Sequence, residues 1–88
     1  MNIDEEKFIL YRFKLEEKDE DLKDTVIKYR NNNINNKTKL PLMVDRLLRK
    51  KSKFDNKLKD FLYLVDLKKE TYDAYLVDNE IILSVKKG

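Results

Sequence analysis

The spacing of apolar residues changes twice along this chain, and that constrains its fold more than any other feature. Near the N-terminus, Tyr11, Phe13 and Leu15 alternate with Arg12 and Lys14. Period two with aromatic enrichment is the pattern of a half-buried strand over residues 7–15. The same stretch has a helical alternative, because Phe8, Tyr11 and Leu15 also recur at i, i+3 and i+7. Beyond it the period becomes helical. Leu22, Val26 and Tyr29 repeat at i, i+4 and i+7, with Asp19, Glu20, Asp21 and Asp24 at the start and Lys28 and Arg30 at the end. Acids first and bases last complement the helix dipole, so a helix is expected over residues 19–30.

Residues 31–39 are polar and rich in asparagine, which competes for backbone hydrogen bonds; this stretch reads as a loop within one domain. Pro41 suits a helix start, since the donor it lacks would be unpaired there anyway. From there Leu40, Val44, Leu47, Phe54, Leu58 and Phe61 form a helical stripe, with Lys51 standing where an apolar residue is due. Either one helix runs from 41 to about 62 or a break near residues 52–56 divides two. Ser52 and Asp55 are both competent N-caps and favour the break.

Toward the C-terminus the period returns to two. Residues 61–65, 71–77 and 81–85 are short apolar segments separated by polar turns, with Asp78-Asn79-Glu80 joining the last two. They suggest an antiparallel meander. The expected fold class is therefore α+β, a single domain spanning residues 1–88. Two or three helices would pack on a C-terminal three-stranded meander, joined by an N-terminal strand if residues 7–15 are extended (β-α-α-β-β-β).

Composition removes most catalytic chemistry. With no His and no Cys, the chain offers no zinc finger, disulfide, thiol nucleophile or imidazole base. Its one glycine is the terminal Gly88, which excludes a Gly-rich phosphate loop or a dinucleotide fingerprint. No enzyme activity, cofactor or metal is expected. The acidic start lacks the pattern of a secretory signal, and the longest apolar run, residues 61–65, is far short of the roughly 20 residues that span a bilayer. A cytoplasmic protein with no membrane partner is expected.

Charge is segregated along the chain. Net charge is −4 over residues 1–24, +9 over 25–59 and −2 over 60–88. Such asymmetry concerns partners more than fold. On a continuous second helix, Arg46, Arg49, Lys50, Lys53 and Lys57 fall within an arc of roughly 100°. Met43, Val44, Leu47, Leu48, Phe54 and Leu58 take a neighbouring arc of roughly 140°, directed inward. A cationic stripe of that kind matches a phosphate backbone, where each neutralised phosphate releases a condensed counterion. Lys28, Lys37 and Lys39 could extend it. The plainer alternative is a solvated face, since 16 of the 20 cations are lysine and the chain carries eight Asn, a bias expected of an AT-rich genome.

Two other groups stand out. Tyr63, Tyr72 and Tyr75 lie in the expected sheet, where aromatics either stack on unpaired bases or fill a small core. Asp66 and Lys68 form an acid-x-Lys unit that Asp45 or Asp55 could complete around Mg²⁺, although such triplets arise by chance in a chain that is 42% charged.

The inferred order of strand, two helices and three strands is similar to that of the RelE-like ribosome-dependent endoribonuclease toxins. That resemblance would assign Tyr75, Lys86 and Lys87 to RNA, although no Arg follows Arg49. If residues 7–15 were helical, three helices and the 72–85 hairpin would resemble a winged-helix DNA binder, with the 41–53 helix in the major groove.

The expected function is a small non-enzymatic regulator that binds DNA or RNA through Arg46, Arg49, Lys50, Lys53 and Lys57. One alternative is a protein-binding inhibitor or adaptor of phage or mobile-element type. Its acidic segment, Glu16, Glu17, Asp19, Glu20 and Asp21, would dock on a host or defence enzyme. A homodimer sharing sheet edges or the stripe through Leu47 and Leu48 is compatible with the sequence.

Overall fold

A computed structural model describes residues 5–32 and 40–88. Of the expected loop at 31–39, Asn31 and Asn32 instead continue a helix, and residues 33–39, with Lys37 and Lys39, lie outside the described residues. The chain is mixed α+β. Strand β1 (Phe8–Lys14) leads through a 3-10 turn (Glu17–Asp19) into helix α1 (Glu20–Asn32). Helices α2 (Leu42–Ser52) and α3 (Asn56–Lys68) follow, and then the hairpin of β2 (Tyr72–Val77) and β3 (Glu80–Lys86). The sheet is antiparallel in the order β1-β3-β2.

Its third strand is thus β1, paired with β3 from Phe8↔Lys86 to Lys14↔Glu80. The 61–65 segment, expected as a strand, continues α3. Leu58, Phe61, Leu62 and Val65 are all buried and lie three, four and seven residues apart, a helical stripe, while Tyr63 is 65% exposed. The observed order of strand, three helices and two strands is not the one on which the RelE-like resemblance rests. The winged-helix arrangement also fails at its premise, because residues 8–14 are a strand.

The central break is real. Asp55 is the N-cap of α3, its carboxylate accepting the Leu58 N–H at 3.1 Å. Pro41 is the N-cap of α2, one position before the first helical residue. With no glycine inside the chain, left-handed backbone falls to Lys69 (φ 51°), which ends α3, and to Asp78 (φ 55°) in the hairpin turn.

One apolar core draws on every strand and every α-helix. Val26, Val44, Leu48, Leu58, Ile81, Leu83 and Val85 are fully buried within it. Leu48 is therefore not available to a dimer, and Leu47 is packed against the core. Arg30 closes one sheet edge. Its Nε donates to the Ala74 carbonyl of β2 at 2.7 Å, and its guanidinium lies 4.0 Å over the Tyr75 ring.

Candidate nucleic-acid interface

Breaking the central helix redistributes the five cations. Arg46, Arg49 and Lys50 lie on α2, Lys53 in the turn after it, and Lys57 in the first turn of α3. Arg46, Lys50, Lys53 and Lys57 are exposed, and no carboxylate among the described residues pairs with them. Lys28, on α1, borders a cavity that it shares with Met43 and Leu47 of α2, so it sits beside the same face.

Arg49 departs from the expected free stripe. Its NH1 and NH2 donate to both oxygens of Asp66 at 2.8 Å, and its Nε to Asp45 at 3.3 Å. The fork matches a carboxylate bidentately, which ties α2 to α3. It raises the Arg49 pKa and lowers that of Asp66, the hydrogen bond between them being the leading cause in each case. Asp45 also accepts from the Tyr72 hydroxyl at 2.6 Å. Burial, reinforced by that carboxylate, pushes the Tyr72 pKa well above its usual value.

This network also disposes of the acid-x-Lys arrangement. Asp45 and Asp66 do come together, but the Arg49 guanidinium bridges them, while Asp55 caps α3 and accepts from Tyr11. No cluster of three potential metal ligands occurs among the described residues.

Lys51, the charged interruption in the apolar stripe, has a structural explanation. Its ammonium donates to both oxygens of Asp19, at 2.9 and 3.1 Å, in a pair whose side chains are only 13% and 7% exposed. The same carboxylate accepts the Glu16 N–H at 3.0 Å. Lys51 and Arg49 thus belong to the frame, leaving Arg46, Lys50, Lys53 and Lys57 toward solvent.

Two apolar residues expected inside are outside. Phe54 is 84% exposed and Met43 52% exposed. Met43 sits at the edge of the inward arc, and Phe54 falls in the turn between Ser52 and Asp55, where helical periodicity no longer fixes direction. The two cap candidates flanking it were the sequence signal for that. Of the three tyrosines, Tyr72 and Tyr75 lie in the sheet as expected, Tyr72 in the core and Tyr75 under Arg30, whereas Tyr63 is exposed on α3 rather than on the sheet.

Beside Phe54 the surface is concave. Phe54 and Lys50 line a cleft of about 490 Å³ together with the apolar Leu22 and Leu47 and the charged Glu16, Lys18, Asp21 and Lys51. No helix among the described residues is long and apolar enough to cross a membrane. No family model, curated protein or solved structure matches the chain.

Proposed function

We propose that the protein is a small non-enzymatic regulator, acting in the cytoplasm, that binds nucleic acid through Arg46, Lys50, Lys53 and Lys57. One observation supports this above others: these four cations are exposed and paired with no carboxylate among the described residues, while their neighbours Arg49 and Lys51 are consumed by internal carboxylates. A fold that needed these cations only for its own stability would have engaged them in the same way. Exposed cations on α2, in the turn after it and in the first turn of α3 give sequence-independent affinity by counterion release. Arg49 is a positioning residue in this reading, holding α2 against α3.

The test is charge reversal followed by fluorescence anisotropy on duplex DNA, single-stranded DNA and RNA. Lys50→Glu with Lys53→Glu should lower affinity at least tenfold while lowering the melting temperature by only a few degrees, the effect of placing two exposed acids at the C-terminal end of α2. Unchanged affinity for every probe would refute the site. A protein-binding inhibitor is the second reading, favoured by the apolar Leu42, Met43 and Phe54 exposed on and beyond α2. A stoichiometric protein partner that survives nuclease treatment would favour it.

A further inference from the structure

Phe54 is the most exposed large apolar side chain described, at 84%, and it stands among Lys50, Lys53 and Lys57. Among the described residues it belongs to no part of the packed core. Its backbone N–H is satisfied by the Lys51 carbonyl at 2.9 Å, and Asp55 caps the next helix immediately after it. The ring is therefore presented on a fixed turn between two helices.

Resting on the nucleic-acid reading above, we infer that the ligand of this face is a single strand, one of whose unpaired bases stacks on Phe54 at the mouth of the adjoining cleft. An aromatic ring beside cations is the combination that holds single strands: the ring takes a base face and the ammonium groups take the flanking phosphates. A duplex keeps its bases stacked on one another and leaves such a ring without a partner. The cleft fits the same assignment. At about 490 Å³ it admits a base, and Leu22 and Leu47 supply apolar lining. Asp21 in the lining offers acceptors to exocyclic amino groups, while Glu16 there is engaged by Lys18 and Lys51. In this assignment the backbone follows Lys50, Lys53 and Lys57 and a neutral base turns inward.

Three variants in the full chain separate this inference from the reading beneath it. With a mixed-sequence single strand of DNA or RNA, Phe54→Ala should weaken binding about tenfold or more. It should leave duplex binding within twofold, and Phe54→Tyr should restore the single-strand affinity. Since the chain has no Trp, Phe54→Trp supplies a lone reporter whose emission should be quenched by the single strand and not by the duplex. Equal effects of Phe54→Ala on both probes, no effect on either, or an unquenched tryptophan would overturn the stacking. In those cases Lys50→Glu with Lys53→Glu still tests the cationic face, which fails only if neither probe responds to the reversal. Polyglutamate binding as tightly as the single strand would also overturn the inference, since it offers charge without bases.

Discussion

Single residues carry two kinds of charge in this protein, and they respond differently to substitution. Lys51 compensates a buried carboxylate, so Lys51→Met should cost about 3 kcal/mol in urea unfolding by leaving Asp19 unpaired. Adding Asp19→Asn should recover part of that loss, because the two sites are coupled. Arg49 is 39% exposed, and solvent screening lowers what its ion pairs are worth; Arg49→Ala should cost only about 1 kcal/mol. Its partner sets an acid dependence. Asp66 has a folded pKa below its unfolded value, so its stabilisation is present above the ordinary carboxylate range and lost as pH falls through the lowered value. Asp66→Asn should flatten that part of the stability profile. Tyrosines act at the other end of the scale. Burial and the aspartates they donate to push Tyr11 and Tyr29 up to about 12. Stability from them is whole below about pH 10 and declines as pH rises toward 12. Tyr11→Phe should reduce that alkaline loss, measured by unfolding at pH 9 and 11.

At the level of elements, the helix boundaries decide where the site residues stand. Asp55 caps α3 and also accepts from Tyr11 at 3.0 Å, so one side chain fixes both the helix start and its contact with the sheet. Asp55→Ala should lower stability by about 1–2 kcal/mol in thermal unfolding. Lys69 holds a left-handed cap that a Cβ disfavours, and Lys69→Gly should raise stability by about 0.5–1 kcal/mol. The first helix, expected over 19–30 and found over 20–32, the hairpin and the break before Asp55 were legible in the sequence, because dipole charges, turn residues and cap residues act locally. The stretch Phe61–Val65 was not. Tyr63 and Leu64 make it a continuous apolar run, and no local rule tells that its tyrosine faces solvent while Phe61, Leu62 and Val65 face the core. The partners of Arg49 and Lys51 were equally hidden, since Asp66 and Asp19 lie 17 and 32 residues away in sequence and meet only through tertiary packing. Four of the five expected cations stayed exposed, and the fifth was claimed by a carboxylate on the neighbouring helix.

Over the whole molecule, the +9 segment and its acidic flanks do not simply neutralise one another on folding. Arg49 and Lys51 are matched internally, and the remaining cations of α2 and the following turn stay free to meet a polyanion. Such a contact has a thermodynamic signature that shape complementarity lacks. Each duplex phosphate engaged contributes a slope of about −0.9 to log K against log salt. The most direct measurement is therefore a salt titration of binding to duplex and to single-stranded DNA, comparing the unaltered chain with Lys50→Glu plus Lys53→Glu. The unaltered chain should give a slope of about −3 to −4, and the variant a slope shallower by about 2 with weaker binding throughout. A slope near zero for the unaltered chain on both probes, or the same slope in both chains, would contradict the proposal that these lysines meet phosphates.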